Sequence, residues 1–148
     1  VIKLVKTKPK FNTFKMLEAM VKVSEVQKER FKDAPFHTEH WVVSFNMGRQ
    51  CGHTTSIHEY ALKHKDENIL IVCYNHDMIR YSMDRFNRHE NIDYTTMNTN
   101  NTVFPINYNY DRIFFDVVPF EKATNFMCNN ISKSVLNTVK SIVCVGNI

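Results

Sequence analysis

Residues 46 to 56, NMGRQCGHTTS, gather the groups in this chain best suited to gripping an anion: two of its three glycines, an arginine, a histidine and paired threonines. They follow the apolar run HWVVSF and precede TTSIHEYALKHK, which has a helical stripe. A turn between a strand and a helix N-terminus brings free backbone N–H groups and the positive end of the helix dipole onto one point, which suits phosphate. The general phosphate-loop pattern, GxxxxGK[ST], adds a lysine for the outer phosphates and a hydroxyl for magnesium. Counted back from Gly52, Met47 stands at the first glycine position and His53 at the lysine position, while Thr54 keeps the hydroxyl. Arg49, Gln50, Cys51, Gly52, His53, Thr54 and Thr55 are the residues that would line such a cradle. Thr54 and Thr55 also have a purely structural use, because hydroxyls at a helix start cap its free N–H groups.

A second stretch, RIFFDVVPF at 112 to 120, places Asp116 at the end of an apolar run. The two stretches together resemble one family. GRQCGHTT is similar to the RQxGKTT loop of the large terminase subunits of tailed bacteriophages, ATPases that pump DNA into capsids, whose loop often lacks the first glycine too. In that family an apolar strand ends in Asp-Glu, followed by two residues and an aromatic. The aspartate serves magnesium and the glutamate the attacking water. The resemblance therefore implies that Asp116, with Thr54, holds magnesium, that Val117 replaces the glutamate, and that Phe120 keeps the aromatic. SIVCVGNI at 141 to 148 has the place and the glycine of the family's next motif, without its threonines. The likeness covers about residues 41 to 148, with no nuclease portion and no recognisable adenine-contacting glutamine motif upstream, and a stand-alone reduced version is the expectation.

His53 and Val117 are the degenerate positions. Histidine is shorter than lysine and mostly neutral near its ordinary pKa of about 6.5. Loss of preorganised positive charge at a transferring phosphate is worth several kcal/mol in the transition state. Valine removes the water-orienting carboxylate. The expectation is a pseudo-enzyme with no intact catalytic residue, an ATP and magnesium site in outline, and a role in binding nucleotide, DNA, or a phage or host protein. Two routes to slow turnover stay open: Glu121, and a cation donated by a partner. Two other readings stay open as well, an active ATPase with an atypical site and an interaction or inhibitor module that binds no nucleotide.

These residues need elements to hold them. Punctuation predicts a helical lead-in over 16 to 34, with Leu17, Met20, Val21 and Val23 inward, stopped by Asp33-Ala34-Pro35. WVVSF, NILIVCY, RIFFDVV and SIVCVGN read as strands buried on both faces, WVVSF as a central one, and NIDYTTM as a weaker edge strand. Helices are predicted after the loop, with Ile57, Tyr60, Ala61 and His64 on one stripe. A further helix starts near Asn75 or Asp77, with Met78, Ile79, Met83 and Phe86 inward, and a helical connection covers 121 to 141. Residues 95 to 110, rich in asparagine and threonine, read as a loop. Alternating strands and helices mean an α/β fold, a three-layer P-loop NTPase-like sandwich with a mostly parallel central sheet. If the loop is a cradle, Asp116 belongs on the adjoining strand tip.

Bulk properties set the frame. A chain of 148 residues suits one domain, read as 1–148 with its core at 41–148. Four scattered cysteines, with no CxxC pair, look like free thiols rather than zinc ligands or disulfides. No run is long enough to span a membrane and the first residues lack a signal-peptide core, which points to the cytoplasm, here of an infected bacterial host cell. Lys3, Lys6, Lys8, Lys10 and Lys15 precede the first acid, Glu18, and make residues 1 to 15 a basic arm able to neutralise nucleic-acid phosphates. Arg80, Arg85 and Arg88 share one side of a helix and are a second candidate nucleic-acid contact. His37, His40, His58, His64, His76 and His89 show no metal-ligand spacing, and most fall on predicted polar faces.

Overall fold

The computed structural model describes residues 12–32, 38–48, 52–97, 109–131 and 133–146. Their elements run α1 (Thr13–Arg30), α2 (Thr38–Trp41), β1 (Val42–Phe45), α3 (His53–Lys63), β2 (Ile69–Cys73), α4 (His76–Phe86), β3 (Ile92–Thr96), β4 (Arg112–Asp116), α5 (Phe120–Asn130), α6 (Lys133–Thr138) and β5 (Ser141–Val145). The five strands form one sheet in the order β1-β5-β4-β2-β3, and every pairing is parallel. Helices cover both faces, so the architecture is the expected α/β sandwich, with a wholly parallel sheet.

Strand pleating sorts the core into two layers, since successive side chains point to opposite faces. Leu70, Val72, Ile113, Phe115, Ile142 and Cys144 meet Ala123, Phe126 and Met127 of α5 on one side. Ile69, Ile71, Phe114, Val143 and Val145 meet Leu17 and Val21 of α1 and Ile57, Tyr60 and Ala61 of α3 on the other. β2, β4 and β5 are buried at every residue, as their continuous apolar runs require. WVVSF departs from expectation twice. Trp41 closes α2 instead of opening the strand, and β1 lies at the sheet edge, where Ser44 is exposed.

α1 starts at Thr13 because Asn12 caps it, its side chain accepting from the Lys15 N–H at 3.3 Å, so Lys15 belongs to a helix and not to an arm. Val23, expected inward, is 42% exposed, and the small Ser24 takes the buried place instead. Its hydroxyl donates to the Trp41 carbonyl at 2.5 Å and accepts the Ile142 N–H at 2.9 Å, pinning α1 to the start of β5. Lys28 sits at the end of α6, donating to the carbonyls of Leu136, Asn137 and Val139, where a cation suits the negative helix end. α4 is capped by Asn75, whose side chain accepts from Met78 N–H at 3.0 Å. The connection after β4 is two helices, α5 and α6, and Thr95 and Thr96, shared by the strand and loop readings, belong to β3.

Cys73 and Cys144 are buried free thiols and Cys128 is an exposed one. No helix among the described residues is long and apolar enough to cross a membrane. Lys3, Lys6, Lys8, Lys10, His37 and the loop at 98–108 lie outside the described residues.

Candidate functional site

All five strands end at one edge of the sheet, and the loop after β1 opens there. In a parallel sheet this carboxyl edge is where ligands gather. Arg49, Gln50 and Cys51 lie outside the described residues. Gly52, His53, Thr54 and Thr55 are described. Gly52 has φ 75°, a left-handed backbone, and forms the N-cap of α3. A glycine supplies no side chain for the cap, and α3 has no side-chain cap hydrogen bond.

The threonine capping read from the sequence is therefore not what Thr54 does: its hydroxyl donates to Asp116 Oδ1 at 3.1 Å, from α3 to the tip of β4. Asp116 does not stand on the adjoining strand as expected, because β5 separates β1 from β4. The two still meet because α3 leaves β1, passes over the end of β5 and packs toward β4. Asp116 is fully buried, and among the described residues its Oδ2 has no hydrogen-bond partner. Burial pushes its pKa up to about 6, against the lowering effect of the Thr54 hydrogen bond.

His53, the first residue of α3, turns its ring back across the loop. Nε2 accepts the Met47 N–H at 2.9 Å, and Gly48 N–H donates to the Asn46 side chain at 2.8 Å. Partial burial lowers the His53 pKa, in keeping with a neutral ring whose Nε2 is an acceptor. Gly146, at the end of β5 with φ 72°, makes room for it: a Cβ there would stand 3.1 Å from the ring. Gly146 N–H is held by the Phe45 carbonyl at 3.0 Å.

Val117 follows Asp116 with φ 58°, and its N–H donates to the Val145 carbonyl at 2.8 Å. A β-branched residue at positive φ is strained by about 1–2 kcal/mol. Asparagine tolerates that backbone, and Val117 is only partly buried. Val117→Asn is thus expected to stabilise the fold by about 1 kcal/mol, read from chemical denaturation with an unchanged denaturant slope.

His58 corrects the polar-face reading of the histidines. It is buried, stacked on Phe86 with ring centroids 4.1 Å apart. Its Nδ1 is 2.8 Å from the Thr54 carbonyl, so Nδ1 donates, and its Nε2 then accepts from the Tyr94 hydroxyl at 2.7 Å. Thr54 is thereby held at both ends, carbonyl to His58 and hydroxyl to Asp116. Phe86 and Tyr94 lie far along the chain, and no local signal marks His58 as buried.

Glu121 is exposed in the first turn of α5, and Arg80, Arg85 and Arg88 are exposed on or just beyond α4. A cleft of about 290 Å³ lies beside the loop between the starts of α1 and α3, lined by Asn12, Phe14, Gly52, Thr55 and Glu59 among others. No group of three or more His, Cys, Asp or Glu able to hold a metal occurs among the described residues.

Comparison with known proteins yields no match of this chain to any family model, curated protein or solved structure.

Proposed function

We propose that the chain is a phage-type protein with a terminase- or helicase-like ATPase fold, whose loop holds a phosphate group together with magnesium and which hydrolyses nucleotide very slowly or not at all. One observation carries the reading: the Thr54 hydroxyl donates to the buried Asp116 carboxylate at 3.1 Å at a helix start without a side-chain cap, and Asp116 Oδ2 has no hydrogen-bond partner among the described residues. A hydroxyl and a carboxylate oxygen fit magnesium, which takes one or two protein oxygens and leaves its other positions to water and phosphate. Thr54 and Asp116 would hold it, and when bound it would neutralise phosphate charge.

What the chain's own groups do favours binding over turnover. The N–H groups at the start of α3 orient an anion. His53 supplies an acceptor to Met47 rather than a cation to the ligand. Val117 offers hydrocarbon where a water-orienting carboxylate is needed. The protein then acts by binding, in the cytoplasm of an infected bacterial cell, with DNA or a phage or host protein as partner.

Millimolar ATP and magnesium are expected to raise the heat-denaturation midpoint relative to ATP with EDTA, since a ligand held at 100 times its Kd adds about 2.7 kcal/mol. An unmoved midpoint rejects the cradle. Phosphate release is expected to be negligible for the natural protein and to increase in the double variant His53→Lys, Val117→Glu. Natural turnover at the level of a working motor rejects the pseudo-enzyme reading.

A further inference from the structure

We propose that α1 is the contact surface of a symmetric dimer, in which a second copy of this chain lays its own α1 antiparallel along the outer face of the helix.

α1 turns Leu17, Val21 and Ser24 into the core. Its opposite side carries Met16, Ala19, Val23, Val26 and Arg30, at steps of three, four, three and four residues. That spacing makes one seam along the helix, the a and d positions of a two-stranded helical pair. Ala19, Val23, Val26 and Arg30 are all exposed, Val23 at 42% and Val26 at 65%, and Met16 is half-buried at one end. A valine on the solvent side of a helix buries little apolar surface and lowers helix propensity, and here two stand one turn apart. Both costs are offset once a second helix covers them.

The side chains flanking the seam select a second copy and set its direction. In an antiparallel pair about a two-fold axis, Val23 of each copy meets Val26 of the other. Ala19 meets Arg30, the small residue leaving room for the arginine stem while its charged head stays in water. The same axis places Lys22 of each copy beside Glu29 of the other, so two ion pairs close along one side of the seam, and Met20 beside Gln27 along the other. Lys22 and Glu29 are both exposed. Glu29 is already paired with Lys32 of its own chain at 2.8 Å, but in solvent such a pair is worth little and leaves the carboxylate open to sharing. A parallel pair would set Arg30 against Arg30 and Lys22 against the neutral Gln27, so the charges favour the antiparallel direction.

Two valines and two exposed ion pairs are a small driving force against the cost of association, so the dimer is expected at a Kd on the order of 100 μM. Sedimentation equilibrium of the whole chain, from roughly 10 μM to 1 mM, reads it directly. Thermal melts establish that each variant is folded. Lys22→Glu and Glu29→Lys each make both ion pairs repulsive and are each expected to weaken association about tenfold. The double variant Lys22→Glu, Glu29→Lys rebuilds the pairs with their charges exchanged and is expected to associate as the natural chain does. Val26→Gln is expected to leave a monomer throughout the range. A natural chain that stays monomeric at every concentration overturns the proposal. So does a dimer that survives Val26→Gln unchanged, which places the contact elsewhere, or a double variant no tighter than the single ones, which rejects the antiparallel pairing.

Discussion

Arg112→Ala is expected to destabilise the fold by about 3 kcal/mol or more, the usual cost of removing one partner from a buried charge pair. Arg112 opens β4 and is 7% exposed. Its Nε donates to Glu67 Oε2 at 2.9 Å, and its Nη1 donates to Glu25 of α1 and, at 3.1 Å, to the Ser141 hydroxyl of β5. One guanidinium therefore joins α1, the turn after α3 and two central strands at the end of the sheet opposite the loop. Removing it leaves the Glu67 carboxylate, whose side chain is 14% exposed, without its fixed cation. Much of the loss comes from that stranded charge, so Arg112→Ala with Glu67→Leu is expected to be more stable than Arg112→Ala alone. Urea denaturation of the four proteins in the cycle measures the coupling. Additive effects, with no recovery in the double variant, would mean that Glu67 is solvated well enough to stand alone.

That network shows where a linear reading of the chain stops. Arg112 and Glu25 are 87 residues apart, and nothing local pairs them. The strands β2, β4 and β5 were legible because burial on both faces demands an unbroken apolar run, and those runs are long enough to be unambiguous. WVVSF is shorter and mixes signals. Trp41 supplies apolar surface that a helix end buries equally well, and the exposed Ser44 marks an edge only once the neighbours are known. The edge position of NIDYTTM was legible from its polar Asp93 and its threonines, and the sheet places β3 there.

The candidate site was legible in its residue types more than in its geometry. Spacing from Gly52 singled out Thr54, and an apolar strand with a terminal acid singled out Asp116. Their meeting across an intervening β5 depends on the crossover of α3, which no motif encodes. The roles of Gly146 as floor for the His53 ring, and of His58 and Tyr94 as the backing of Thr54, depend on pairs brought together only by the fold. Opposite demands meet in Val117: the backbone after Asp116 needs positive φ so that its N–H can reach the Val145 carbonyl, and the residue present there resists it.

The second large effect is expected at Asp116. With a folded pKa of about 6, above the ordinary 3.8, the native state binds this proton more tightly than the unfolded chain. Between about pH 4 and 6 the native state then carries the extra proton, so stability contributed by this group is lost as pH rises, the reverse of a salt-bridged carboxylate. Above pH 6 the ionised group costs the fold about 3 kcal/mol relative to its neutral form. Asp116→Asn keeps an oxygen for the Thr54 hydroxyl and never ionises. In EDTA, its stability relative to the natural protein is expected to increase by up to about 3 kcal/mol from pH 4 to pH 8, measured by urea denaturation at each pH. A difference that is flat with pH would show that the carboxylate is solvated or already compensated when ionised. A fold that keeps an ionised carboxylate buried at neutral pH gives up stability at one place, and the magnesium proposed above would recover it. The same substitution is therefore expected to abolish any magnesium-dependent gain in stability, which separates a ligand site from a merely strained core.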